Sequence, residues 1–163
     1  MMLSVFTVIL ALVTACAGCL CKAPFAAAST RCREGWIYFA GSCYSFPEVP
    51  RNWHQAAASC ISHGAYLAEI ESEEENNWLV NRINTTNFGS VWIGGTEVMK
   101  RGTILWAYSG NPLTFSDWSP GQPSDPGQTL EDCVEIRQQF GYKWNDWQCD
   151  TVVNRYVCET RPL

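Results

Sequence analysis

Histidine is scarce: His54 and His63 are the only two in 163 residues. Both fall in or beside one helical stretch, and neither stands near a nucleophile motif of the G-x-S-x-G kind. Ser/His and Cys/His chemistry therefore has little to work with. Asp117, Asp125, Glu131 and Asp132 could imitate an acid/base pair, but metal ligation explains their neighbourhood better, and no catalytic activity is expected. Positive charge is also thin. Eleven Lys and Arg face sixteen Asp and Glu, a net charge of −5, and the basic residues form no cluster. A nucleic-acid partner, whose phosphates demand a basic face, is excluded. The apolar runs stop short of the ~20 residues that a bilayer-spanning helix needs, so no membrane span is expected. The single C-x-x-C spacing, Cys16 to Cys19, has no second pair beside it and makes a poor zinc site.

Cysteine itself is abundant, with nine in the chain. An oxidising compartment explains that number better than a metal cluster does. Leu3 to Val13 is apolar except for Ser4 and Thr7, and Ala15-Cys16-Ala17-Gly18 follows. That is the layout of a secretory signal peptide over residues 1–18. A linker of small residues occupies 19–31, and one domain runs from 32 to 160. The expected product is secreted and extracellular. Cys19 and Cys21 lie on the tail and are candidates for a disulfide-linked homodimer. Cys32, Cys43, Cys60, Cys133, Cys149 and Cys158 remain in the domain, and spacing alone leaves their pairing open. Asn84-Thr85-Thr86 is an N-glycosylation sequon.

The pattern along the domain changes midway. Trp36 to Phe39 and Cys43 to Phe46 are short aromatic runs around Ala40-Gly41-Ser42, a hairpin signal. Asn52 opens a helix whose apolar face is Trp53, Ala56, Ala57, Cys60 and Ile61, with Gly64 as its stop. Ser72 and Glu75 form a capping box for a second helix with Trp78, Leu79 and Ile83 as its stripe. Glu73, Glu74 and Glu75 read as a solvated helix start. After residue 88 come strand-like runs at Val91–Gly95, Leu105–Tyr108, Val134–Ile136 and Tyr156–Cys158. Between them residues 109–130 are dense in Gly, Pro, Ser, Asp and Asn. A loop of that length is usually functional. Helices first and strands afterwards predict an α+β domain with an antiparallel sheet.

These residues carry a family resemblance. Trp92-Ile93-Gly94-Gly95, Trp118 ahead of Gln122-Pro123-Ser124, Glu131-Asp132-Cys133, Trp144-Asn145-Asp146 and Tyr156-Val157-Cys158-Glu159 stand in the order found in C-type lectins. The resemblance implies the C-type lectin-like fold, two helices packed on antiparallel sheets with a long calcium-binding loop. It implies the pairs Cys32–Cys43, Cys60–Cys158 and Cys133–Cys149, and a packing role for Trp36, Trp53, Trp92 and Trp106. It also implies a cis bond before Pro123.

By the same resemblance Ca2+ is held by Gln122, Ser124, Glu131, Asn145 and Asp146, with the Asp146 carbonyl as a further ligand. A hard cation wants six to eight oxygens, which these residues can offer. The same residues take two neighbouring sugar hydroxyls. Gln122 before the proline resembles members selective for galactose-type diols; Ser124 departs from them, because an acid stands there in the family. That leaves Glu131 and Asp146 as carboxylates, with Asp125 a candidate third. Phe140 or Tyr142 could supply an aromatic contact to sugar. Glu97 and Arg101 fall where some members hold an auxiliary ion, and Arg101 argues against it here. The expected function is a secreted, calcium-dependent carbohydrate-binding protein, with innate recognition of microbial glycans implied by resemblance. The competing expectation is a sugar-independent interaction domain on the same fold, binding protein, mineral or ice.

Overall fold

The computed structural model describes residues 30–124 and 132–163. The expected signal peptide, Cys19, Cys21, Asp125 and Glu131 lie outside the described residues. The first hairpin is β1 (Ile37–Phe39) and β2 (Ser42–Ser45). Ala40 and Gly41 make its turn with φ of 44° and 100°, and only the second suits glycine's lack of a Cβ especially well. Helix α1 (Trp53–Ser62) starts at Asn52, whose side chain accepts from the Gln55 N–H while the Gln55 side chain returns the bond. Its buried face is Trp53, Ala56 and Cys60. Ile61, expected on that face, is 68% exposed; one residue beyond Cys60 turns it about 100° away from the core.

Helix α2 (Glu73–Thr85) is capped by Ser72, whose side chain accepts from the Glu75 N–H. The reciprocal half of the expected capping box is replaced. Glu75 is buried, accepting from the Tyr44 hydroxyl at 2.6 Å and the Glu71 N–H at 3.0 Å. The acidic run is thus solvated only at Glu73 and Glu74. Trp78 stacks on Phe39 at 4.5 Å, which seats α2 against the first hairpin.

The remaining strands are β3 (Tyr66–Leu67), β4 (Val91–Thr96), β5 (Leu105–Trp106), β6 (Cys133–Arg137), β7 (Lys143–Trp147), β8 (Arg155–Tyr156) and β9 (Cys158–Thr160). One sheet has the order β1-β2-β9-β3, and the other β5-β4-β6-β7. All pairs are antiparallel except β4 with β8. That exception has a physical reason. The chain crosses between sheets at Val157, so Tyr156 lies beside Trp92 while Cys158 lies beside Ser45 and Leu67. Val157 donates to the Trp92 carbonyl and accepts from Ala68. Two cores result. One, under α2, holds Ile70, Leu79, Ile93, Trp106, Val134 and Trp144; the other, under α1, holds Trp53, Trp92, Cys60 and Cys158. Trp53, Trp92 and Trp106 are buried, and Trp36 packs half-buried against the second core. The bridges are Cys32–Cys43, Cys60–Cys158 and Cys133–Cys149, as the resemblance implies. Among the described residues no helix is long and apolar enough to cross a membrane.

Candidate functional site

The site is built where the long irregular segment meets β7. That segment is tied down before it reaches Gln122. The Trp144 N–H donates to the Asp117 carbonyl at 2.8 Å, and the Ser119 N–H donates to the Trp144 carbonyl at 2.9 Å. The Trp144 ring is edge-on to Trp106, Phe115 and Trp118. Its indole N–H donates to Asn76 of α2 at 2.9 Å. Asn76 in turn donates to Asp117 at 2.9 Å, and Lys143 pairs with the other Asp117 oxygen at 2.6 Å. Asp117 is therefore an anchor between helix, loop and strand, and the metal-ligating neighbourhood read from the sequence does not extend to it.

From this anchor the chain turns at Ser119, which accepts from the Gln122 N–H. The Gln122–Pro123 bond is cis, as the resemblance implies. The Ser124 N–H then reaches both carboxylate oxygens of Asp146, at 3.0 and 2.9 Å, and the Ser124 hydroxyl lies 3.4 Å from one of them. Of the expected ligands, Ser124 of the segment thus meets Asp146 of β7, with Gln122 two residues before the one and Asn145 next to the other. Glu131, the fifth, and Asp125 fall outside the described residues. Asn145 and Asp146 are 0% and 3% exposed.

Two oxygens here are out of balance. Gln122 Oε1 and Asn145 Oδ1 are both buried, and neither receives a hydrogen bond. A buried acceptor left without a donor costs about 1–3 kcal/mol, so two together ask for a ligand. A hard cation fits: it needs oxygens without hydrogens between, and it takes amide carbonyls alongside carboxylates. Among the described residues no group of three His, Cys, Asp or Glu could hold a metal.

The Asn145 nitrogen end is fully engaged. It donates to Glu135 Oε1 at 3.0 Å and to the Asp146 carbonyl at 2.8 Å. Glu135 lies across from Asn145 in the β6–β7 register and is 2% exposed. Burial pushes its pKa up, against the pull of Arg137 and of hydrogen bonds from Asn154 and Asn145. Sequence reasoning took Glu135 only as part of a closing strand. The available signal was a lone acid between Val134 and Ile136, both of which face the core.

The other expected residues have surroundings of their own. Phe140 ends a 3-10 turn (Gln138–Phe140) and is 39% exposed. It packs on the Arg137 guanidinium, whose centre is 4.9 Å from its ring and 4.3 Å from the Trp147 ring. Tyr142 packs against the core under α2. Glu97 is buried and accepts from the Gly102 N–H at 2.8 Å, which turns it onto its own loop. Asn84 is exposed in the last turn of α2.

Fold and site together define a disulfide-braced α+β domain whose long irregular segment is tied to β7 through Ser124 and Asp146. The chain belongs to the lectin C-type domain family, whose pattern matches residues 49–160. It is 33% identical over 141 residues to a perlucin-like protein of Mytilus galloprovincialis, covering 85% of each chain. Among solved structures it is similar to the cow C-type carbohydrate-recognition domain of CD23 in the presence of GlcNAc2Man3 oligosaccharide. That match has a TM-score of 0.72 and 35% identity, covering 83% of this chain and 99% of the other. It is also similar to a herring type II antifreeze protein, with a TM-score of 0.73 and 27% identity, covering 81% and 100%. Membership of this family supports a carbohydrate-binding role.

Proposed function

We propose that this protein is a secreted lectin that binds sugar hydroxyls through Ca2+ held by Gln122, Ser124, Glu131, Asn145 and Asp146. One observation carries the reading: Gln122 Oε1 and Asn145 Oδ1 are buried with no donor to either, on the two pieces of chain that Ser124 and Asp146 tie together. Calcium, when bound, supplies open coordination positions for two neighbouring hydroxyls. The chain supplies selectivity. Both Asn145 amide hydrogens are occupied, by Glu135 and by the Asp146 carbonyl, so Gln122 is the amide that donates to a sugar hydroxyl. Asp146 and Glu131 accept the hydroxyl protons. An amide before Pro123 is the galactose-type order, and galactose-type diols are the proposed ligands. Phe140, partly exposed on the Arg137 guanidinium, is the proposed aromatic contact to the apolar face of a larger glycan.

Ser124 favours a second reading. It replaces a carboxylate, and its N–H already occupies Asp146. The likeness to an antifreeze protein fits a domain whose face binds a surface without sugar. One experiment separates the two. Calcium at millimolar level, about ten times the Kd of a tight extracellular module, should raise the melting temperature by adding about 1.4 kcal/mol. A glycan array should then show galactose-type binding that a chelator abolishes. Ser124→Asp should tighten calcium, because affinity follows ligand charge. A melting temperature indifferent to calcium, with array signals indifferent to chelator, selects the second reading.

A further inference from the structure

The hydrogen bonds around β6 and β7 show more than a ligand set. The Glu135 carboxylate receives three donors: Asn145 Nδ2 at 3.0 Å, Arg137 Nη1 at 3.0 Å and Asn154 Nδ2 at 2.6 Å. Two of these lie outside the ion site and hold the carboxylate from behind. Arg137 is itself packed on Trp147 and Phe140. Asn154 is pinned by a pair of backbone bonds with Arg51, at 2.9 and 3.0 Å. Glu135 is thus fixed from two sides and passes that orientation on to Asn145.

An amide whose nitrogen feeds two acceptors cannot turn over, since the flip would set Oδ1 against both the Glu135 carboxylate and the Asp146 carbonyl. We propose that Glu135 is a positioning residue for the ion site: it grips Asn145 by the nitrogen end and so presents Oδ1, bare and buried, to the cation. The inference rests on the calcium reading above and names what prepares the site for it. Stability alone would not call for a carboxylate here, because a well-packed apolar side chain generally serves a buried position as well as an ionic one does. Residues of this kind, one step behind a metal ligand, typically change metal affinity about 10- to 100-fold when removed.

The test uses the full secreted chain and calcium alone. Calorimetric titration is compared for wild type, Glu135→Leu and Glu135→Gln, with calcium-free melting curves beside each. Glu135→Leu should weaken calcium about 10- to 100-fold. Glu135→Gln keeps an acceptor for Asn145 once the Asn154 amide turns, and should stay within a few-fold of wild type. A merely structural role would lower the calcium-free melting temperature while leaving affinity, measured well below it, unchanged; that result overturns the proposal. Asn154→Ala, which loosens the carboxylate from behind, guards against misfolding of the leucine variant and should weaken calcium several-fold. A second readout needs no calcium. The Asn145 side-chain amide protons should be protected from solvent exchange in wild type and Glu135→Gln, and exposed in Glu135→Leu. Equal exchange in all three overturns the proposal even where calcium binds. Wild type that binds no calcium sinks the proposed function, and this inference with it, whatever the exchange rates.

Discussion

Glu159 sits between the two ends of the first sheet, 6% exposed, accepting from the Ser42 hydroxyl at 2.7 Å and the Glu69 N–H at 3.0 Å. Burial, reinforced by nearby Glu75, outweighs these bonds and raises its pKa from 4.5 to about 7. The sign follows from linkage. An unfolded chain releases this proton near pH 4.5, whereas the native state keeps it to about pH 7, so Glu159 favours the native state at low pH. That contribution is lost as pH rises through this window. Glu159→Gln, which cannot ionise, should therefore gain on wild type between about pH 4.5 and 7, by at most about 3 kcal/mol for a shift of this size. Melting curves of both proteins across that range check it; parallel curves would remove the effect. In sequence Glu159 closes the last motif of the resemblance, but nothing there marks it as buried. Nothing in one dimension sets it apart from exposed Glu73 or Glu74, because its burial comes from β2 and β3 closing on either side of β9.

At the scale of elements, β4 is the piece on which both cores depend, and two glycines let it serve both. A Cβ on Gly94 would stand 2.7 Å from the Leu67 carbonyl and 3.2 Å from the Ala68 carbonyl; one on Gly95 would meet the Val134 side chain at 2.7 Å. Gly94 also donates its N–H to Ala68 at 2.8 Å. Backbone carbonyls cannot step aside as a side chain can. Gly94→Ala should thus cost about 1–3 kcal/mol, the usual range for overpacking, and more than Gly95→Ala. Urea unfolding of the two variants ranks them, and the reverse order would contradict this packing. The helices were legible in advance because caps and apolar spacing are local signals: Asn52, Leu79 and Ile83 behave as read, and Ser72 keeps its own half of the expected box. Strand β3 was not. Two residues, Tyr66 and Leu67, are too short for any alternation, and they become a strand only because Cys158 and Glu159 lie alongside. The site was legible as a set of oxygen donors through the family pattern. Its wiring was not: Asn76–Asp117, Asn145–Glu135 and Asn154–Glu135 join residues 10 to 41 apart in sequence, and no spacing announces them.

Across the whole molecule, Cys60–Cys158 joins α1 to β9 over a separation of 98 residues. Chain-entropy reasoning assigns a loop of that size about 4.7 kcal/mol. Replacing both cysteines by alanine should lower stability by roughly 4 kcal/mol, read by denaturant unfolding of the oxidised protein. A loss below about 1 kcal/mol would mean that the sheet alone already closes the loop. The backbone closes the domain again nearby. Leu163 donates its N–H to the Arg31 carbonyl, and the Arg33 guanidinium reaches the His63 carbonyl. Incoming and outgoing chain therefore share one doorway. A unit laid out this way can be hung from a stalk, spliced between neighbours or strung like beads, with no strand of its interior having to be rethreaded.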